Sequence, residues 1–429
     1  MLDINYIREN KDRVAQAIKN KNRQADLDAL LALDKECSRL VTQIQDIRQK
    51  RNVLAKQGNS PENQVAGKQI KEELKVLEQQ LADSQEKYTE LLLAVPNITH
   101  PDMPIGKDDS ENVVLRKWGT IREFNFKVKD HVELGETLDI IDIKSATEVS
   151  GPRFYYLKNQ AVLLQMAIIH FVFTTLTNAS IIEKIAESVG NPNTKPFIPM
   201  IPPVLMKKDV MKKMDRLDPI DDRFYLEKDE LILVGSAEHT MGPYYMNQTV
   251  DENELPIRFV GYSTAFRREA GSYGKDTRGI LRVHQFDKLE METFSMPDQG
   301  QAEQDLLVGV QEYMLQQLEI PYEVMEVCTG DTGKPDYRQI DINCWIPSQN
   351  TYRETHSADY MTDYQARRLK IKYRQKSGDK GYVHMNDATA FAVGRILIAL
   401  MENHQQEDGS ISIPKALQPL AGFETIKPL

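Results

Sequence analysis

Residues 27–92 carry the pattern that most restricts what this chain can become. Leu30, Leu33, Cys37, Leu40, Ile44, Ile47 and Leu54 recur in alternating steps of three and four, with Arg51 filling the one polar seam position. Ile70, Leu74, Leu77, Leu81, Ser84, Tyr88 and Leu91 repeat the pattern. An apolar residue about every 3.5 positions makes a seam narrow enough to match a second helix, the signature of a coiled coil. Between the two series, Gly58-Asn59-Ser60-Pro61-Glu62-Asn63 is a turn-forming cluster that no continuous helix tolerates. Two heptad helices joined by a short breaker fold back antiparallel, each roughly 30 residues and on the order of 45 Å long. Lys50, Arg51, Lys56, Lys68 and Lys71 gather towards the tip. The hairpin therefore reads either as a spacer or dimerisation element, or as a projecting arm whose basic end meets phosphates.

Pro96-Asn97-Ile98-Thr99-His100-Pro101-Asp102-Met103-Pro104 reads as an extended linker. After Gly106 the heptads stop, and short β-like runs alternate with helices to Leu429. The expected division is an arm-bearing domain over 1–105 and a second domain over 106–429. At 429 residues the chain is long enough for a sizeable buried core. Its charged fraction of 28% and mean hydropathy of −0.49 exclude a polytopic membrane protein. The longest apolar stretch, Ala161 to Phe173, carries Gln165 and His170 and falls short of the ~20 residues a membrane span needs, so a buried helix is expected. No basic region precedes an apolar run at Met1–Asn5, so no signal peptide is expected. Cys37, Cys328 and Cys344 form no CxxC pair, which suggests neither a disulfide framework nor a zinc site and fits a reducing cytoplasm. A formal charge of −10 leaves any nucleic-acid contact to local basic patches.

The chemistry-bearing stretch runs from Thr264 to Phe294. Phe266-Arg267-Arg268-Glu269 leads through the glycine-rich, polar segment 270–279 into Ile280–Phe294, which predicts two antiparallel strands and a long loop. Alternate residues of a strand share a face, so Arg282, His284, Phe286, Lys288, Glu290 and Glu292 fall on one side, and Leu281, Val283, Leu289 and Met291 mainly on the other. Arg267 and Glu269 join the polar side from the paired strand, and Lys275 and Arg278 from the loop. Such a face suits an adenylate. Guanidinium groups bond phosphate oxygens in pairs, and Phe286 can stack on a purine. Glu290 lies four residues beyond Phe286, about 13 Å along a strand, comparable to the length of an aminoacyl-adenylate.

Two further segments supply complementary groups. Glu354 and Ser357 offer a carboxylate and a hydroxyl three residues apart, a plausible oxygen pair for Mg²⁺ or simply a solvated loop. Arg395 sits in the apolar run Ala392–Leu400, where it needs an anion, either a structural carboxylate or a ligand. No GxxxxGK[ST] sequence is present, which argues against a P-loop NTPase, and no His-x-Gly-His signature of the other nucleotide-binding synthetase class is present either.

Taken in order, these segments resemble bacterial-type seryl-tRNA synthetases, a class II aminoacyl-tRNA synthetase family, essentially end to end. The arm and Pro96-Asn97-Ile98 come first, then Gly106–Val113 and Gly151-Pro152-Arg153-Phe154-Tyr155-Tyr156-Leu157. Ile201-Pro202-Pro203 resembles motif 1, which builds the dimer interface in this class; residues 264–294 resemble motif 2, and 387–400, closing on Gly394-Arg395, motif 3. The resemblance implies an α+β fold: an antiparallel coiled-coil arm, then a catalytic domain with a mainly antiparallel sheet flanked by helices. It implies a cytoplasmic homodimer that uses ATP and Mg²⁺, acts on serine and serine tRNA, and has no membrane partner.

The implied roles fall on matching positions. Arg267 holds the α-phosphate and substrate carboxyl; Phe286 stacks on adenine with help from Arg395; Glu269 contacts the adenine side; Arg278 and Arg395 hold the outer phosphates, with Arg282 also on the ATP side. Glu354 and Ser357 match the metal pair. Glu290 and Thr389 match the groups that receive the serine hydroxyl, and Ser236 and Glu238 the loop near its amine. Several positions depart from the common pattern: Ser236 for Thr, Ala265 for Cys, Asn343 for Glu, Ala358-Asp359-Tyr360 for Cys-Ser-Asn, and Asp387-Ala388 for Asn-Gly. The implied reaction forms seryl-adenylate and transfers the seryl group to the 3′-terminal ribose of serine tRNA; whether selenocysteine tRNA is a second acceptor is left open by the sequence. Two alternatives stand beside it: an armed paralogue that loads a small amino acid onto a carrier protein, and a non-catalytic RNA-binding protein with a synthetase fold.

Overall fold

A computed structural model describes residues 1–57, 60–270 and 278–428. The chain divides into two units, 1–98 and 99–429.

In the first unit, two short helices, α1 (Ile4–Glu9) and α2 (Lys11–Asn20), precede the long pair α3 (Leu27–Lys56) and α4 (Pro61–Ala94). Asp26 caps α3 by accepting from the Ala29 N–H, and Ser60 caps α4 in front of Pro61 at its first position, where a missing N–H costs nothing. Ile44, Ile47 and Leu74 form the buried seam, with Ile70, Leu77 and Leu81 packed against it, as the heptads predict. Arg51, expected to fill a seam position, is exposed instead. The polar residue buried on the α3–α4 pair, among the described residues, is Asp34, which takes two hydrogen bonds from Arg8 of α1 at 2.7 and 2.8 Å. Of the predicted breaker, Gly58 and Asn59 lie outside the described residues.

The second unit is built on an eight-stranded sheet. Its strands are β1 (Val113–Trp118), β2 (Ile198–Met200), β3 (Ile257–Phe266), β4 (Gln285–Ser295), β5 (Tyr322–Glu326), β6 (Arg338–Ile346), β7 (Thr351–Thr362) and β8 (His384–Ala392). They lie in the order β1-β5-β6-β7-β8-β4-β3-β2, antiparallel except where β2 meets β3. Helices α5 (His131–Thr137), α6 (Asn159–Leu176), α7 (Ala179–Val189), α8 (Lys208–Met214), α9 (Glu238–Met241), α10 (Gly300–Gln317), α11 (Tyr364–Leu369) and α12 (Val393–Asn403) surround it. The main core joins one face of the sheet to α6, α7, α10 and α12, through residues such as Leu289 and Met291 of β4, Leu307 of α10 and Leu397 of α12.

The apolar stretch near residue 161 becomes an 18-residue helix, longer than the run itself. By length and composition α6 could cross a membrane, and 44% of it is buried. Leu164, Ile168 and Val172 enter the core, while Leu163 and Met166 stay exposed. One strand in from the sheet's edge, the fully buried Arg258 of β3 is gripped by Glu303 of α10 through two bonds of 2.7 Å.

Candidate active site

The sheet forks at its centre. β7 and β8 pair from Thr362↔Met385 up to Ala358↔Ala388 and no further, although β7 begins at Thr351 and β8 continues to Ala392. The carbonyls at the fork would lack ladder partners. Buried Gln311 of α10 supplies them, donating to Ser357 O at 2.9 Å and Thr389 O at 2.8 Å. The cleft opened by this fork is lined by Arg267, Glu269, Arg282, Phe286, Lys288, Glu354, Thr355, Thr389 and Arg395. A larger cleft of about 760 Å³ between α7, α10 and β1 also carries charge, but Arg116 there already pairs with Glu312, and Arg338 with Glu326.

At one end the cleft is aromatic and cationic. The Arg267 guanidinium lies over the Phe286 ring, 5.4 Å from its centroid, and its Nε donates to Gly235 O at 3.1 Å. Arg395 lines the same cleft as that ring and donates through Nη1 to the Glu354 carbonyl (2.8 Å) and carboxylate (3.0 Å). Arg282 pairs with Glu269 at 3.0 Å. The predicted strand from Ile280 actually starts at Gln285, so Arg282 and His284 precede the ladder and only Phe286, Lys288, Glu290 and Glu292 share its polar face. Arg278 is not a lining residue of the cleft. It is exposed and bonds Asp130 just before α5 at 2.8 Å. Lys275 lies outside the described residues.

Behind Lys288 and Thr389, which line the cleft, lies a buried acidic cluster. Glu290, 1% exposed, accepts from Ser236 Oγ at 3.0 Å and lies 2.5 Å from Lys288 Nζ. A bulge at Ala390 brings Thr389 opposite Glu290 in the ladder. Burial pushes the Glu290 carboxyl up; Lys288 opposes this without cancelling it. Glu238 on α9 is also buried, yet Arg216 at 3.2 Å and His239 hold its carboxyl well below the usual range. Burial and the surrounding carboxylates push Glu292 and Asp387 well above it. Glu238, Glu290 and Asp387 each offer an oxygen within 4.8 Å of the others, and Arg216 and Lys288 bring positive charge to them.

Glu354 and Ser357 lie on β7, not in a loop. Three residues apart on a regular strand, they would face opposite ways. A bulge at Thr355, where Ile342↔His356 is followed by Asn343↔Glu354, returns them to one face. Asp341, opposite Ser357, shares that face and was not foreseen. Burial, with Glu354 nearby, pushes its carboxyl up to about 8. Alternation along the ribbon places Lys288 on its polar face, but nothing in the sequence pairs it with Glu290, and no motif contains Arg216.

Residues 1–99 match the family profile of the seryl-tRNA synthetase N-terminal domain, and residues 223–404 that of the class II tRNA synthetase core domain (G, H, P, S and T). A serine–tRNA ligase of Rubrobacter xylanophilus is 38% identical over 435 residues, covering 100% of this chain and 99% of that one. The crystal structure of seryl-tRNA synthetase from Pyrococcus horikoshii complexed with ATP superposes with a TM-score of 0.89 at 34% identity, covering both chains completely. The cytoplasmic serine–tRNA ligase of Naegleria fowleri in complex with AMP gives 0.85 at 28% identity, covering 100% of this chain and 99% of that one. With the forked antiparallel sheet, the long helical hairpin and these full-length likenesses together, the chain belongs to the seryl-tRNA synthetase family.

Proposed function

We propose that the protein is an ATP-dependent serine–tRNA ligase, joining serine to ATP as seryl-adenylate and passing the seryl group to the 3′-terminal ribose of serine tRNA. The observation that carries this reading is β4: Phe286 under a guanidinium in the cleft and buried Glu290 four residues on, on the same face of the strand. Adenine stacks on Phe286 with Glu269 at its edge, and Arg267 holds the α-phosphate and the serine carboxylate. Arg282 and Arg395 meet the outer phosphates, joined by Arg278 once it leaves Asp130. Serine lies at the acidic end, its hydroxyl on Glu290 and Thr389 and its ammonium group near Ser236 and Glu238. The serine carboxylate attacks the α-phosphorus as pyrophosphate leaves, and the ribose oxygen then takes the seryl group as AMP leaves. The carboxylate is already nucleophilic, so these side chains act by positioning and by meeting charge in the transition state.

Mg²⁺ fits the residues present. Glu354 and Ser357 offer hard oxygens on one face, and the carboxyl of Asp341, raised beside Glu354, marks a place where added positive charge is welcome. When bound, the ion neutralises phosphate oxygens as a Lewis acid. Exposed Ile198 and Ile201 at motif 1, with Leu163 and Met166 exposed on α6, support burial of apolar surface in a homodimer, which we place in the cytoplasm. The basic tip of the α3–α4 arm supports a grip on the long variable arm of serine tRNA. The test is serine-dependent ATP–pyrophosphate exchange followed by charging of purified serine tRNA. Activity in both supports the reading; exchange without transfer to tRNA, or no exchange at all, refutes it.

A further inference from the structure

The acids at the serine end converge on one cation. The Arg216 guanidinium lies 3.0 Å from Asp387 and 3.2 Å from Glu238, with Asp336 at 3.7 Å and Asp359 at 3.9 Å. These four carboxylates come from four segments: α9, β8, β7 and the loop before β6. Asp359 and Asp387 are two of the positions where the sequence departs from the common pattern of the family, and they lie far apart in the chain. The fold makes them ladder partners between β7 and β8, both within reach of Arg216. Two changes that look independent along the chain are thus parts of one ion network.

The root of Arg216 is fixed. It follows Asp215, whose backbone is left-handed (φ 62°) and whose carboxylate accepts from Lys334 and Tyr364 at 3.0 Å and from Arg368 at 3.1 Å. The Arg216 carbonyl accepts two further bonds from Arg223, at 2.9 and 3.2 Å. A side chain anchored this way is aimed: Nη2 donates to Asp387 at 3.0 Å and Nε forms an ion pair with Glu238 at 3.2 Å, directions that the rotatable donors of an ammonium would not fix. The charge pattern agrees. Burial works against ionisation throughout this end, but Arg216 keeps Glu238 anionic while Asp387 and Glu292 are pushed towards the protonated form.

We propose that Arg216 is a positioning residue for the amino-acid end of the site, its ion pair holding Glu238 in the orientation that receives the substrate ammonium group, with the hydrogen bond to Asp387 as its second anchor. The proposal rests on the role given to Glu238 above. The test is serine-dependent pyrophosphate exchange on the full chain, with kcat and the KM for serine and for ATP measured separately in R216Q, R216K and E238Q. In R216Q the serine KM should rise at least about tenfold while the ATP KM stays within about twofold, because Arg216 does not touch the aromatic, phosphate-binding end. R216K should fall between R216Q and the unmodified chain, since an ammonium group keeps the positive charge but not the fixed geometry of the guanidinium. Should R216Q fail to fold, the same split between the two KM values in R216K carries the test. A serine KM within about twofold of the unmodified chain in the folded variants, or equal increases for serine and ATP, overturns the proposal. If E238Q raises the serine KM and neither Arg216 variant does, the proposal alone fails. If E238Q leaves the serine KM unchanged, the role of Glu238 fails and the proposal with it.

Discussion

Replacing Glu290 by Gln keeps the side chain's shape and removes its charge, so it isolates what the buried carboxylate contributes to choosing serine. Glu290 is 1% exposed and is held by Ser236 Oγ and Lys288 Nζ. A hydrogen bond to a charged group contributes about 1.5–3 kcal/mol, which converts to roughly 10- to 150-fold in kcat/KM for serine. Alanine has no hydroxyl to place there, so its kcat/KM should move by less than about threefold. The serine-to-alanine preference in pyrophosphate exchange should therefore narrow by nearly the whole serine factor. Lys288 would lose its anion but keep Ser236, so the thermal melt must be recorded beside the kinetics and the assay run well below it. Acid offers an internal control. Burial, opposed by Lys288, leaves the Glu290 carboxyl above its ordinary 4.5, so lowering the pH of the unmodified protein should reproduce the Gln variant, whereas E290Q itself should show no such dependence. A preference for serine that E290Q leaves within about twofold of the original would refute the reasoning.

Three further outcomes follow from the same structure. Arg258→Met leaves Glu303 buried without its guanidinium and should cost about 3–5 kcal/mol, read as a lower melting temperature or denaturant midpoint. Deleting residues 30–92 should spare serine-dependent pyrophosphate exchange but greatly weaken tRNA charging, and charging at the original rate would remove the arm from the mechanism. Burial lowers the His356 pKa from 6.5 to about 3, so below pH 6.5 the unfolded chain takes up a proton that the fold refuses. Stability from this group is whole above pH 6.5 and is lost progressively as the pH falls towards 3; the melting temperature of His356→Gln should drop less over that window.

What the sequence determined alone is whatever repeats over short distances. The heptads of α3 and α4 specify a helical pair because steps of three and four place Ile44, Ile47, Leu74 and Leu77 on one stripe whatever the rest of the chain does. The same locality makes the ribbon legible: alternation along β4 turns Phe286, Lys288, Glu290 and Glu292 to one side without knowledge of its neighbours. Arg51 misled because a polar residue in the right step can leave the seam by its length, while Asp34 is held inside only because Arg8, far away in sequence, reaches it.

Tertiary structure decided how these faces become a site. The bulges at Thr355 and Ala390 exist only in the pairing between strands, and they bring Ser357 to the face of Glu354 and Thr389 opposite Glu290. The fork between β7 and β8 depends on Gln311 of a distant helix to satisfy the freed carbonyls. Arg216 gathers acids from four separate segments, so no window of sequence contains its meaning. Periodicity is a property of neighbouring residues and can be read along the chain. Burial, bulges and charge pairing are properties of segments that meet only after folding, and there alone did the acids find their cation.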